Sequence, residues 1–376
     1  MMMSAAQNQK EEEGGEVHRP WLMIALVVLS MLGLGAATLL LPHDTYVRYQ
    51  QLTSTLQFRT VWSYERLAFD QTPIDIAVIG NSRLQAGVSG PLLAQRLSER
   101  LGRKVHVANL SIPQEGRSAH YVLARELFRH HPEVKLVLIS AIEAMPRESH
   151  PAFRNIAEAP DILDAPMLIN LAWLDDLAYI PYRQMSLFVQ SRLPQVFGVG
   201  TFHRKDYAGT NFDSTKSFIS PTAGLVDRDT THTAGELRPK AQARVRGITP
   251  PVLPVALANQ EFAVERQYTK AIAELAEANG TALGFVYLPI FENPERLRQE
   301  SYYLAAGPVL SATCIAGHAE FFSDYGHLNR TGAVAVTRML GDTLVQLGWG
   351  RTDKNAFLAH AETSLCTQKR SPPSAS

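Results

Sequence analysis

The chain has 376 residues, of which 45% are hydrophobic and 19% are charged, so its composition is that of an ordinary globular protein. Lysine plus arginine and aspartate plus glutamate both total 36. This balance excludes an electrostatic argument for binding nucleic acid, and we predict no nucleic-acid partner.

An apolar segment near the start of the chain predicts a single membrane-spanning helix. Residues 21–41 contain no charged residue over 21 positions. A helix of that length is about 32 Å long, which matches the core of a bilayer. Residues 1–20 are polar and are predicted to be a disordered leader. The alternative is a cleaved signal peptide, but the polar leader and the long apolar run favour an uncleaved anchor in membrane lipid.

The charges that flank this segment leave its orientation close to a tie. Lys10 and Arg19 lie on one side, and Arg48 and Arg59 lie on the other. A short leader inside the cell, with the large domain following the anchor, is the simpler arrangement. We therefore expect a cytoplasmic leader and a domain on the outer face of the cell membrane, periplasmic or extracellular.

Cysteine usage is compatible with export. The only two cysteines, Cys314 and Cys366, lie near the C-terminus, and an even number can form one disulfide bond. Two unpaired thiols are the alternative interpretation. Cys366 falls in residues 351–376, which are interpreted as a C-terminal tail.

After a stem at residues 42–70, the pattern changes to strands that alternate with helices, and we predict one domain over residues 71–350. A helix opens at Pro91, carries leucines four residues apart on one face and ends at Gly102. The other predicted elements are strands at residues 75–80, 105–110, 135–140 and 282–287, and helices at residues 118–128, 265–278 and 331–347. This alternation is typical of an α/β fold, a mainly parallel sheet covered by helices on both faces.

Residues 145–262 do not follow this alternation. They are rich in proline and aromatic residues and contain a basic run at Arg238, Lys240, Arg244 and Arg246. One interpretation is an insertion that forms a wall of the binding cleft, or a lid over it. The other is a surface excursion whose basic run is a solvated face. We favour the cleft wall for the insertion and the solvated face for its basic residues.

Three residue types needed for nucleophilic catalysis occur at informative places. Ser82 follows the first strand directly, where ligands bind in parallel sheets. Asp324 precedes His327 by three residues, so carboxylate and imidazole can pair on one face of a turn. A neutral imidazole can activate the serine, and the carboxylate can fix its tautomer. The Ser82 amide and the loop that ends at Gly116 are candidate donors to the oxyanion that then forms.

These residues resemble the SGNH hydrolase superfamily, the GDSL-like esterases and acyltransferases. The stretch Ile79-Gly80-Asn81-Ser82-Arg83 looks like the family's first block, with Asn81 in place of the usual aspartate. Gly116 looks like the glycine of the second block, and Asp324-Tyr325-Gly326-His327 looks like the last block. The resemblance covers roughly residues 73–142 and 265–347. It implies a three-layer, flavodoxin-like fold with Ser82, Asp324 and His327 as the catalytic residues.

One departure from the family pattern concerns the oxyanion hole. The family's third block supplies an asparagine, whereas the third strand here ends in Ser140-Ala141-Ile142-Glu143-Ala144. Either Asn109 or a residue of the insertion replaces it, or the transition state is stabilised less well. The loss of one oxyanion donor lowers the reaction rate by about 100- to 1000-fold. Whether Glu143 occupies the missing position stays open. The departure keeps a non-catalytic domain under consideration.

Other polar residues have two interpretations each. Arg83 contacts a carboxylate or a sugar beside the nucleophile, or forms a surface salt bridge. Asn329 is interpreted as holding the turn that presents His327. His130 and Glu126, one helical turn apart, are too few ligands for a metal. We predict no metal and no cofactor.

A single span ahead of such a domain resembles the membrane-anchored SGNH-like proteins that act on cell-envelope polymers, often beside a multi-pass membrane-bound O-acyltransferase. The resemblance implies a serine acyltransferase or esterase that adds or removes a small acyl group, in our prediction acetyl, on a cell-surface polysaccharide. A non-catalytic factor that binds glycan or assembles the polysaccharide system is the alternative. A soluble esterase with a cleaved leader is a third interpretation.

Overall fold

The computed structural model describes residues 20–141, 147–168, 170–247, 253–293, 300–350, 357–359 and 363–366. Nearly all of the predicted leader, residues 142–146 with Glu143, and most of the predicted C-terminal tail lie outside these ranges. The described strands are β1 (Ile76–Ile79), β2 (Val107–Asn109), β3 (Leu136–Ser140), β4 (Phe218–Ser220), β5 (Gly224–Val226), β6 (Ala282–Tyr287), β7 (Val309–Ser311) and β8 (Thr363–Ser364).

The described helices fall into those before, within and after the predicted insertion. The first group is α1 (Pro20–Thr38), α2 (Thr45–Gln50), α3 (Arg59–Ala68), α4 (Ser82–Gly87), α5 (Gly90–Leu101) and α6 (Arg117–His130). The insertion holds α7 (Phe153–Ile156), α8 (Ala159–Leu163), α9 (Trp173–Arg192), α10 (Pro194–Phe197), α11 (Ala234–Gly247) and α12 (Ala258–Glu261). The last group is α13 (Ala263–Ala278), α14 (Glu300–Leu304) and α15 (Arg330–Gln346).

A six-stranded parallel sheet in the order β2-β1-β3-β6-β7-β8 confirms the predicted α/β class. The chain passes from β1 to β2 on one side and to β3 on the other, so the order reverses at β1. In open α/β sheets such a reversal leaves a crevice at the carboxyl ends of the strands, where ligands bind. Ser82 follows β1 and lies at this edge.

The alternation of side chains along β1 explains the two helical layers. Ala77 and Ile79 point to one face, where they pack with apolar residues of α3, α6 and α13. Ile76 and Val78 point to the other face and pack with α4, α5 and α15. All four residues are fully buried. This burial is why the strand reads as a continuous apolar run in the sequence.

The predicted elements of the sheet domain agree with the structure to within about two residues at each end. The helix expected at Pro91 is α5, with Ser89 accepting the Leu92 N–H at its start and Gly102 in a left-handed conformation (φ 66°) at its end. Strands β7 and β8 were not predicted. β8 lies in the segment interpreted as a tail and pairs with β7 at the sheet edge.

The segment predicted as a stem packs into the domain. Its helices α2 and α3 contribute Tyr49 and Tyr64, whose rings stack with centroids 4.2 Å apart, and Trp62 and Leu67 join the same core. The domain therefore begins near Thr45, ahead of the predicted boundary at residue 71. The sequence did not indicate this packing, because both helices are short and contain polar as well as apolar residues.

Helix α1 agrees with the predicted apolar span. It is 19 residues long and apolar enough to cross a membrane, and no residue of it is buried. At 1.5 Å per residue it is about 28 Å long, close to the thickness of a bilayer core.

Cys314 and Cys366 form a disulfide bond, so the first of the two interpretations holds in the structure. The bridge joins the turn after β7 to the residues that follow β8 and closes a loop with a sequence separation of 52. Since β8 has only two residues, the bridge is the main covalent constraint on this edge strand.

We expect the double variant Cys314→Ser and Cys366→Ser to lower the free energy of unfolding by about 2–4 kcal/mol, because a loop of this length gains conformational freedom when unfolded. Urea unfolding followed by tryptophan fluorescence checks this. A reductant should destabilise the wild type to the same extent and leave the double variant unchanged. Equal stability of reduced and oxidised wild type would contradict the expectation.

Candidate active site

The nucleophile candidate Ser82 is the first residue of α4, placed there by a tight turn after β1. The side-chain oxygen of Asn81 accepts the N–H groups of Arg83 (3.1 Å) and Leu84 (3.5 Å) and so caps the helix. Gly80 fits this turn closely, because a Cβ there would crowd the Leu84 side chain (2.7 Å) and the Cβ of Ser140 (3.0 Å). The Gly-Asn-Ser sequence therefore favours this turn through the small size of Gly80 and the capping side chain of Asn81.

The structure brings Ser82, His327 and Asp324 together. Nε2 of His327 lies 2.8 Å from Oγ of Ser82. Nδ1 of His327 lies 2.9 and 3.0 Å from the two carboxylate oxygens of Asp324. With the proton on Nδ1, the ring donates to the carboxylate and presents an acceptor to the serine hydroxyl, which is the arrangement of a general base and its orienting acid.

Backbone donors fix the Asp324 carboxylate on its turn. Oδ1 accepts the N–H of Gly326 at 2.7 Å and that of His327 at 2.9 Å. Burial raises the pKa of Asp324, but the hydrogen bond and charge of His327, the Gly326 amide and the nearby Arg228 guanidinium outweigh it and lower the pKa to about 2. The carboxylate therefore stays ionised at any physiological pH.

The turn that carries His327 is closed at its base. Ser323 N–H donates to the His327 carbonyl at 2.9 Å. Asn329 then caps α15, accepting the Gly332 N–H at 2.9 Å and donating Nδ2 to the Glu320 carbonyl at 2.8 Å. Its contacts agree with the predicted structural role of Asn329.

Ser82 and His327 open into a cavity of about 460 Å³. Helix α4 lines it with Ser82, Arg83 and Gln85, and the loop Pro113–Glu115 forms another side. The insertion supplies a large share of the wall, which agrees with the cleft-wall interpretation. The lining residues from the insertion are Glu148, Ser149, Pro151, Phe218, Val226, Arg228 and Arg244.

The basic run of the insertion is not only a solvated face, and that expectation needs correction. Arg244 lines the Ser82 cavity, and Arg238 forms a two-pronged ion pair with Glu292, with both N–O distances at 2.6 Å. Residues of one face of α11 thus turn toward the domain. The sequence of α11 shows a run of basic residues and does not indicate which of them contact the domain.

Asn109 does not serve as the replacement oxyanion donor. Its Nδ2 donates to the carbonyls of Leu84 (3.1 Å) and Val88 (2.6 Å), and its Oδ1 accepts the Ser111 N–H (3.1 Å). The side chain is 5% exposed and does not line the cavity. Its amide is used to hold α4 and the loop after β2 together.

Gly116 lies one residue beyond the cavity-lining loop, at the start of α6. Its φ of 137° and the approach of His150, whose backbone and Cβ would lie 2.6 Å from an added Cβ, both require glycine. The space beside the Gly116 Cα is thus occupied by His150. Gly116 remains a candidate donor only through its amide.

Arg83 lines the cavity as a largely buried side chain. It is 7% exposed, and its Nη1 donates to the Leu288 carbonyl at 3.3 Å. The guanidinium thereby links α4 to the residues after β6, next to the nucleophile.

The Ser82 amide remains a candidate oxyanion donor. The first turn of a helix leaves its N–H groups without intrahelical acceptors. Asn81 takes those of Arg83 and Leu84 through its side chain and that of Gln85 through its carbonyl. In the part of the chain that the structure describes, no acceptor takes the Ser82 N–H.

Sequence reasoning missed Arg228, which lies on the insertion just after β5. It is 6% exposed and lines the cavity, its Nη1 donates to Oγ of Ser323 at 3.3 Å, and its charge helps to ionise Asp324. Its carbonyl also accepts the Arg330 N–H at 2.8 Å. No local pattern marks it, because its role depends on contacts with a turn about 95 residues later.

Neither the models of known protein families nor the curated proteins give a match to this chain. The likeness to a family therefore rests on the motif residues alone.

We expect Asp324→Asn to lower stability at neutral pH. An Asp whose pKa is lower in the folded state stabilises the fold above its unfolded pKa, and this contribution disappears as the pH falls toward 2. The difference in melting temperature between wild type and variant should therefore shrink between about pH 7 and about pH 2.5, measured by circular dichroism. Asp206→Asn, at an exposed site, is the control. A difference that grows in acid would contradict the assignment.

Proposed function

We propose that this chain is a membrane-anchored, SGNH-like serine acyltransferase or esterase that transfers or removes a small acyl group, acetyl in the simplest case, on a cell-surface polysaccharide. The observation that carries the proposal is the contact of 2.8 Å between Nε2 of His327 and Oγ of Ser82, with Asp324 behind the ring. Helix α1 supports the anchor, and the domain is proposed to lie on the outer face.

In the proposed reaction, Oγ of Ser82 attacks the acyl carbonyl carbon while its proton passes to Nε2 of His327. Asp324 holds the opposite ring N–H and stabilises the imidazolium. The carbonyl oxygen becomes an oxyanion, for which the Ser82 amide is the assigned donor and the Gly116 amide a second candidate. Collapse breaks the bond to the leaving oxygen, which takes the proton from Nε2 and departs, leaving acyl-Ser82.

The second half reverses the proton path. A sugar hydroxyl, or water in an esterase, gives its proton to Nε2 and attacks the acyl-serine carbonyl. Breaking the bond to Oγ returns the proton to Ser82 and releases the acylated sugar or the acid. Transfer to a sugar requires that water be kept from the acyl-serine, and the insertion over the cavity is suited to that task.

Two polar groups at the cavity wall support a substrate that carries hydroxyl groups. Oε2 of Glu115 and Nε of Arg228 are buried and have no hydrogen-bond partner among the described residues. Both side chains line the cavity. One is an acceptor and the other a donor, the pair that a sugar hydroxyl needs. A multi-pass membrane-bound O-acyltransferase as acyl supplier remains part of the proposal by analogy alone.

The first experiment is labelling of the purified full-length chain in detergent with a fluorophosphonate probe, which reacts with activated serines. We expect the wild type to be labelled, Ser82→Ala to be unlabelled, and His327→Ala to react roughly 10²- to 10⁴-fold more slowly, since the base is lost. Ser149→Ala and His318→Ala are matched controls that should label normally: Ser149 lines the same cavity, and His318 pairs with Glu320 instead. A folded wild type that stays unlabelled would refute the catalytic proposal.

One observation favours the second candidate, a non-catalytic assembly factor: Asn109 does not supply the missing oxyanion donor. Ser82→Ala in cells of the source organism separates the two. An acyltransferase loses the ester content of its polysaccharide, measured by release of acetate with alkali, although the variant accumulates normally. An assembly factor keeps the ester content and the amount of polymer.

A further inference from the structure

Helix α9 presents an apolar face to solvent. Leu174, Ala178, Tyr182, Met185 and Val189 are spaced by three or four residues and so lie on one side of the helix. All five are exposed, Leu174 by 70% and Tyr182 by 62%. We call these five residues the α9 apolar face. A helix on the surface of a globular protein normally turns such a face inward.

The apolar surface continues beyond the helix at both ends. The described residues before and after α9 add further exposed apolar side chains, namely Leu163, Met167, Leu168, Leu171, Leu193, Val196 and Phe197. The exposed charged residues in the described part of 163–197 are only Asp164, Asp175 and Arg192. An apolar patch of this length on a protein surface marks an interaction site.

The opposite side of α9 fixes the helix to the domain. Ile180 and Leu187 are buried, and Nη1 of Arg183 donates to the carbonyls of Arg154 and Ala157. The α9 apolar face is therefore held outward by the fold and is not an unpacked segment.

The apolar face is continuous with the candidate membrane span. Helices α1 and α9 are in contact, and Gly35, near the end of α1, faces the ring of Pro181, 3.6 Å from where its Cβ would be. The Asp44 N–H donates to Oγ of Ser191 at 2.9 Å and ties the connection after α1 to the end of α9. The two exposed apolar surfaces thus meet on one side of the molecule.

We propose that the α9 apolar face and its flanks insert into the lipid surface of the same bilayer that α1 spans, so that the domain lies against the membrane. Lipid is the indicated occupant because the face adjoins a helix whose length and composition match a bilayer core. Tyr182 and Arg192 have the amphipathic side chains favoured at the lipid–water boundary. The proposal rests on α1 crossing the membrane and not on the chemistry of Ser82.

The test uses the full chain in liposomes of phosphatidylethanolamine and phosphatidylglycerol, with no other protein present. Since both native cysteines form the disulfide, Met185→Cys provides one thiol for an environment-sensitive nitrobenzoxadiazole dye. Glu99→Cys is the control, because it is exposed on α5, on the other side of the sheet.

We expect the dye at position 185 to shift its emission to the blue, to be quenched by lipids with a nitroxide on the acyl chain, and to resist aqueous iodide. The dye at position 99 should show the opposite behaviour. A second protein carrying Leu174→Glu and Val189→Glu with the dye at 185 should lose the lipid signal and still unfold at the temperature of its parent, followed by circular dichroism. Equal quenching by iodide at positions 185 and 99 overturns the proposal, as does protection that appears only when other membrane proteins are added.

Discussion

The hydrogen bond between His327 and Ser82 joins residues 245 positions apart, and the rest of the site depends on it. Different segments of the backbone hold Ser82 and His327 in place. Asn81 and the turn at Gly80 fix the serine, whereas the amides of the last turn fix Asp324 and the ring. Because separate segments of the chain carry Ser82 and His327, their contact of 2.8 Å depends on the sheet and α15 holding both residues at the same edge of the sheet.

Strand β1 provides that edge because it is paired on both sides and buried on both faces. Its neighbours β2 and β3 deliver the loop containing Glu115 and the end of the third strand to the same crevice. Loops at such an edge can vary in sequence without disturbing the core. Here a long insertion occupies the space in front of the serine, and Arg228 joins that insertion to the turn carrying Asp324 through Ser323 and Arg330.

What the sequence predicted well was local. Helix α5 could be bounded from Pro91 and Gly102, and β6 from a short apolar run, because caps and burial on both faces leave signals within a few residues. The pairing of Asp324 with His327 was likewise a matter of spacing. The features that the sequence did not predict depend on residues far apart in the chain. Strand β8, for example, has only two residues and forms because it pairs with β7. Asn109 was predicted to be an oxyanion donor, but its side-chain amide donates to carbonyls of α4 and of the residue after it. The sequence around Asn109 does not indicate these contacts.

The insertion performs two tasks that constrain one another. Its last part covers the cavity with Phe218, Val226 and Arg228, and its middle part carries the α9 apolar face beside α1. Because Arg183 fixes α9 to the carbonyls of Arg154 and Ala157, the helix cannot move away from the domain without breaking buried hydrogen bonds. On the proposed arrangement the bilayer and Ser82 therefore keep a set separation.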